Sequence, residues 1–261
     1  MRIVNTFNDP NSPGPSYHLG IDGAYPNVIT GGDPDRIEKL AGLLDDAVYI
    51  HKRGNLTVHG FYEGLPVTAF STGMGPSSVC ITLPEVIEAC DDDDMLLLRI
   101  GTSGGLKTHL AVGDNVVTSD VFHDEGVSAK IMGEGYQGSA SEDFRKVIEK
   151  VARRNNITNG LDVFVGKTVT TDVLYFDAIG DLSRYENSLA ISMEFGVIAA
   201  LRDWYNQNDG RRIMAGNLLR VSNMLVRSDV DSKVSRPSPD EIEYLHIKSG
   251  LDALVAMRRK R

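Results

Sequence analysis

Residues 95–98 read MLLL, an unbroken apolar run between the acidic stretch 91–94 and a single arginine, Arg99. A run this short and this apolar predicts a strand buried on both faces, as in a parallel sheet covered by helices. Residues 28–30 and the β-branched run 162–171 read the same way. Residues 47–50, 56–62 and 66–70 predict strands, the last two joined by a Glu63-Gly64 hairpin turn. Residues 115–119 with their continuation, 190–193 and 212–222 complete the strands. Between them the spacing turns helical. Residues 35–44 carry apolar side chains at 37, 40, 43 and 44, with Asp33 as N-cap and Pro34 at the first helical position. Residues 76–90 predict a helix with a bend or a late start at Pro84, since an interior proline costs about 3 kcal/mol. Residues 141–155, capped by Ser141, 194–205 and 238–260 predict three more. The glycine-rich stretch 126–138 reads as a surface loop, and 172–188 as an irregular segment where a substrate loop would lie.

Strands and helices alternate, so the expected fold class is α/β: a single domain with a mixed, twisted central β-sheet flanked by α-helices. At 261 residues one large domain is the natural size. Residues 1–16 are polar and proline-rich and read as a flexible N-terminal arm, leaving 17–261 as the domain.

Charge narrows the function. The net charge of −9, from 27 basic and 36 acidic residues, argues against a nucleic-acid partner. No apolar run approaches the ~20 residues of a membrane span, and the first residues lack the pattern of a signal peptide. Cys80 and Cys90 read as reduced packing residues, which points to the cytoplasm. The six histidines are scattered, and no metal-ligand spacing is present. The acidic stretch 91–94 reads as a solvated turn, and the basic residues 258–261 as a solvated helix end.

The candidate chemistry starts from Arg99. A permanent cation at the end of a buried strand needs an anion, and open α/β sheets bind ligands outside the carboxyl ends of their strands. The following GTSGG reads as a turn. The expectation is an anion, phosphate first, held by Arg99, Thr102 and the amides of residues 101–105. A structural ion pair to another element is the alternative. VITGGDPDR (28–36) repeats the pattern of strand, glycine turn and helix start. Arg36 lies there in a first helical turn, where a cation opposes the helix dipole and a bound anion would repair the fault.

GGDPDR at 31–36, STGMGPSS at 71–78, LRIGTSGGL at 98–106, VGD at 112–114 and the Met193-Glu194 pair occur in the order found in the uridine phosphorylase branch of the nucleoside phosphorylase family. The chain resembles that family from about His18 to its last helix. The resemblance implies the nucleoside phosphorylase-I type of fold and phosphorolysis, in salvage or catabolism, of a nucleoside to free base and ribose 1-phosphate. Inorganic phosphate is the co-substrate and no other cofactor is implied. It further implies Gly32, Arg36, Arg99 and Thr102 as phosphate ligands, with Arg53 reaching the same phosphate across a dimer interface. Met193 and Glu194 would hold the ribose, because a carboxylate can accept hydrogen bonds from two adjacent hydroxyls. His18 would reach the neighbouring subunit's ribose 5′-hydroxyl. Arg99, Glu194 and Asn223 would carry the catalysis. Shared sites imply a dimer-based homo-oligomer, by family likeness a hexamer.

The base half departs from that branch. Uridine phosphorylases carry a Gln-x-Arg pair in the loop after the strand matching 162–171, whereas this loop, TTDVLYFDAIGDLSRYE, has no glutamine. Arg184 and Asp177 are its polar candidates, and Tyr175 or Phe176 could stack on a base. Asn223 stands where the purine branch has an aspartate, and Met224 where the uridine branch often has an arginine. Asn223 suits uridine or a 6-oxopurine. Uridine is the expected substrate. A purine nucleoside phosphorylase of the same fold and a catalytically idle nucleoside-binding protein are the alternatives. A hydrolytic nucleosidase would have no use for Arg36, Arg53 and Arg99.

Overall fold

The computed structural model describes residues 16–175, 181–230 and 236–261. The central strands form where the apolar runs predict them. β1 (Asn27–Gly31) is buried throughout, and so is β5 (Asp94–Gly105) except at Asp94 and Thr102. α1 (Pro34–Ala41) separates β1 from a three-stranded meander of β2 (Asp45–Lys52), β3 (Asn55–Tyr62) and β4 (Leu65–Ser71). α2 (Pro76–Glu88) leads into β5 and continues through Pro84. β6 (Asn115–Asp124), α3 (Val127–Met132), α4 (Glu142–Asn156), β7 (Val163–Thr171), β8 (Ala190–Ser192), α5 (Phe195–Asn208), β9 (Arg212–Met224) and α6 (Pro239–Lys260) follow.

The nine strands of the described residues make one mixed sheet in the order β2-β3-β4-β1-β5-β8-β7-β6-β9. β9 also pairs with β5, in parallel from Asp94↔Arg212 to Gly105↔Met224, so the half containing β5, β8, β7, β6 and β9 closes on itself. Helices cover both faces. Ile37 and Leu40 of α1, Phe144 and Ile148 of α4, and Leu251 and Leu254 of α6 share one apolar core. Leu83 and Ile87 of α2 pack with Phe195, Ile198 and Tyr205 of α5 in a second. The mixed sheet flanked by helices is the expected architecture.

Several local expectations are corrected. GTSGG is the end of β5, not a turn. Its glycines make room for crossing neighbours: a Cβ on Gly105 would lie 2.6 Å from Met224 Sδ. The stretch 126–138 contains α3, whose first amides, Val127 and Ser128 N–H, donate to the Glu125 carboxylate. The basic C-terminal cluster is anchored rather than solvated at Arg258, which donates to Asn27 Oδ1 (2.5 Å) and to the carbonyl of Asp94 (2.7 Å). The acidic stretch likewise ends inside β5, where Asp94 pairs with Arg258 and Arg261. Ser141 precedes α4 as expected, but its hydroxyl accepts from Ala215 N–H and Arg202 instead of capping the helix. Residues 1–15 of the expected arm lie outside the described residues. Ser16 is buried and accepts from Gly20 and Lys52 at its carbonyl.

Candidate active site

At the carboxyl ends of β1 and β5 a cavity of about 540 Å³ opens, bordered by Gly32, Arg36, Arg99, Thr102, Met193, Glu194 and Asn223. The chain leaves β1 through Gly31-Gly32 and starts α1 at Pro34, with Asp33 Oδ1 accepting from Asp35 N–H (3.0 Å). That start puts Arg36 beneath the cavity floor at 7% exposure. Thr102 and Asn223 come from the adjacent strands β5 and β9, and Glu194 from the position preceding α5.

Each buried arginine has a carboxylate. Arg99 Nη2 donates to Glu194 Oε2, and its Nη1 to Asn217 Oδ1 (3.3 Å), the residue opposite it in the β5–β9 register. The ion-pair alternative for Arg99 is therefore present, and it is made to a residue of the cavity itself. Arg99 Nε is buried with no hydrogen-bond partner. Desolvation lowers the Arg99 pKa, opposed by Glu194 and reinforced by Arg36. Glu194 also accepts from Gly75 N–H at Oε1 and Met193 N–H at Oε2, both 3.2 Å. Its side chain makes no cap hydrogen bond to its own helix, so it is committed to the cavity.

The fault expected at Arg36 is repaired from within the fold. Arg36 Nε donates to Glu243 Oε1 (2.7 Å), whose other oxygen takes Arg220 Nη2 (2.5 Å). His246, one helical turn on in α6, is fully buried with Nδ1 2.9 Å from Asn115 Oδ1. Burial, and then Arg36, Arg220 and Arg99, hold its pKa well below the usual range, so it is a neutral imidazole. Neither Glu243, Arg220 nor Asn217 was singled out by local pattern, because each meets its partner only through sheet pairing or through α6.

Other expected residues lie elsewhere. His18 N–H and Leu19 N–H donate to the Glu85 carboxylate, and His18 Nδ1 lies 2.7 Å from Glu85 Oε1. Burial would raise the Glu85 pKa, but these hydrogen bonds hold it below the usual range. The His18 ring meets Tyr17 edge-on at 4.9 Å, and Arg53 Cζ lies 4.9 Å from the same Tyr17 ring. His18 and Arg53 thus share a patch that is not part of the cavity lining of their own chain. Arg184 is engaged with Asp124 and the Tyr185 hydroxyl rather than with the cavity. Tyr175, Leu174, Val173 and Leu225 border an adjoining recess of about 350 Å³ that shares Asn223 with the main cavity. Phe176 and Asp177 lie outside the described residues.

The arrangement is an α/β fold with a deep site that pairs buried cations with a carboxylate. The chain belongs to the Phosphorylase superfamily, whose profile matches residues 26–207. A guanosine phosphorylase from Halorubrum lacusprofundi is 30% identical over 238 residues, which cover 88% of this chain and 93% of that protein. A uridine phosphorylase from Haemophilus influenzae is 29% identical over 149 residues, 57% of this chain and 56% of that one. The fold matches a crystal structure of a purine nucleoside phosphorylase from Toxoplasma gondii in complex with immucillin-H, with a TM-score of 0.77, 22% identity, and coverage of 95% and 98% of the two chains. Among the described residues no helix is long and apolar enough to cross a membrane.

Proposed function

We propose that the protein is a purine nucleoside phosphorylase that splits a 6-oxopurine nucleoside with inorganic phosphate into free base and ribose 1-phosphate. The observation that carries this is a cavity of ligand size lined by the buried Arg36 and Arg99, with Glu194 on its wall paired directly to Arg99. Phosphate sits on Arg36, Arg99, Thr102 and the Gly32 backbone. Glu194 accepts from the ribose 2′- and 3′-hydroxyls, with Met193 against the sugar. Phosphate attacks the anomeric carbon and its C–O bond forms as the glycosidic C–N bond breaks; the departing purine keeps the electron pair and takes a proton from solvent, and positive charge developing on the sugar lies beside Glu194.

The earlier expectation of uridine gives way to the purine alternative. The whole-length relative is a guanosine phosphorylase, the uridine-type likeness spans little over half the chain, and the Gln-x-Arg pair is missing. Asn223 supports a 6-oxopurine. Ser222 Oγ donates to Asn223 Oδ1 (3.1 Å), occupying the amide's acceptor end. Nδ2 is then the group offered to a base, and a donor suits a 6-oxo oxygen better than a 6-amino group. The recess beside it, bordered by Val173, Leu174, Tyr175 and Leu225, receives the ring.

His18 and Arg53 act on a partner's site in this reading. Their shared patch adjoins β2, an edge strand that leaves Val48 58% and Tyr49 46% exposed. An exposed apolar edge is a pairing surface. The assembly is a dimer-based homo-oligomer, and a hexamer by family likeness.

The test is base release from guanosine, inosine, adenosine and uridine, each with and without phosphate. Phosphate-dependent turnover of guanosine and inosine is expected. Turnover of uridine alone would overturn the base assignment, and turnover without phosphate would overturn phosphorolysis.

A further inference from the structure

Arg220 contacts neither cavity, yet it is the third guanidinium in the cluster beneath the larger one. Its strand position sets it between Thr102 of β5 and Asn115 of β6, and it pairs in register with both. Its Nη2 shares the Glu243 carboxylate with Arg36 Nε, one on each oxygen. The side chains of Arg36 and Glu243 are 8% and 9% exposed, and that of Arg220 is 17% exposed. Arg220 Nε has no hydrogen-bond partner.

The charges explain why a third cation is there. Glu194 pairs with Arg99 and Glu243 pairs with Arg36. With only those four groups the floor of the cavity would be neutral, and two carboxylates near a phosphate would repel it. Interactions between buried charges are strong because little solvent screens them. Arg220 restores the balance in favour of an anion. By occupying Glu243 Oε2 it neutralises that carboxylate, which can then fix Arg36 by Nε without cancelling its charge. The terminal nitrogens of Arg36 stay available to a ligand, as the fork geometry of a guanidinium allows.

We propose that Arg220 is a positioning and charge-compensating residue for phosphate, acting through Glu243 on Arg36 without touching the ligand. This inference rests on the phosphate site proposed above. It differs from a purely structural role in predicting opposite effects for its two partners. Removing Arg220 leaves Glu243 uncompensated and weakens phosphate. Removing the Glu243 charge while keeping its oxygen strengthens phosphate or leaves it unchanged.

The experiment measures the affinity of inorganic phosphate alone by calorimetry, without nucleoside, on the full chain and on Arg220→Met, Glu243→Gln, Arg220→Lys and the double variant Arg220→Met/Glu243→Gln. The expected results are a weakening of roughly ten-fold or more for Arg220→Met, little change or tightening for Glu243→Gln, and recovery toward the unaltered protein in Arg220→Lys and in the double variant. In steady-state assays the loss should appear in KM for phosphate and not in KM for nucleoside. Equal phosphate binding by Arg220→Met and the unaltered protein would overturn the inference and leave the phosphate site standing. No phosphate binding by the unaltered protein would overturn the site and the inference together. If Arg220→Met does not fold, Glu243→Gln carries the test, because weakened phosphate binding there contradicts charge compensation.

Discussion

Arg99 and Gly101 work as one unit within β5. The Arg99 guanidinium lies over Gly101 so closely that a Cβ there would stand 2.1 Å from Nη1. Gly101→Ala must therefore move the arginine, since no conformation of a methyl group relieves that overlap. Arg99→Ala is expected to lower kcat by roughly 10²–10³, the scale for losing one preorganised charge-stabilising donor. Gly101→Ala should cause a loss in the same direction, with the fold intact by circular dichroism. Undiminished phosphorolysis by either variant would remove Arg99 from the mechanism. Arg99 was legible in the sequence because a permanent cation directly follows an apolar run. Glu243 was not. It meets Arg36 across 207 positions of chain, and nothing around it in α6 distinguishes it from an ordinary helix glutamate.

At the scale of elements, two hairpins carry the same backbone device with different duties. Arg53-Gly54 joins β2 to β3 and Glu63-Gly64 joins β3 to β4, each as a two-residue turn. All four residues are left-handed, with φ of 53° at Arg53, 81° at Gly54, 49° at Glu63 and 76° at Gly64. Such turns favour Asn, Asp or Gly at the first position, and another L-residue there costs about 1–2 kcal/mol. Glu63→Gly and Arg53→Gly should each therefore raise the melting temperature, by about 2–4 °C. Only Arg53→Gly should also raise KM for phosphate, by roughly ten-fold, through loss of a charged ligand. Equal activity of the two variants would contradict a role for Arg53 in the site. The strands bounding these turns were readable from the sequence, because alternation and the turn residues agree. The sequence reads GTSGG as a turn because glycines ordinarily end strands. Here they persist in the strand where Met224 and Leu225 cross closely above Gly104 and Gly105. α3 was missed because its amides are met by Glu125, a glutamate just upstream, rather than by a small polar N-cap.

For the whole molecule, the sheet gathers the residues of one cavity and leaves His18 and Arg53 outside it. Residues from α1, β5, β8 and β9, from the turn after β1 and from the position before α5 converge on one cavity, whereas His18 and Arg53 are held together around Tyr17 elsewhere on the surface. Order along the chain and the likeness of its motifs made the convergence legible. The proposed purine preference is less so, because a base is read by loop side chains whose placement depends on the closed half of the sheet and not on local pattern. On the proposed function, His18 and Arg53 complete a partner's site, which requires assembly. Sedimentation should give a homo-oligomer built from dimers, and a fully active monomer would remove His18 and Arg53 from the mechanism. Phosphorolysis of a 6-oxopurine nucleoside is the reaction proposed for the Arg36–Arg99–Glu194 cavity. Its most direct test is to supply guanosine with inorganic phosphate and to quantify guanine and ribose 1-phosphate together. Equal amounts of both are expected, with no guanine when phosphate is omitted. Guanine released with free ribose, or released equally without phosphate, would contradict it.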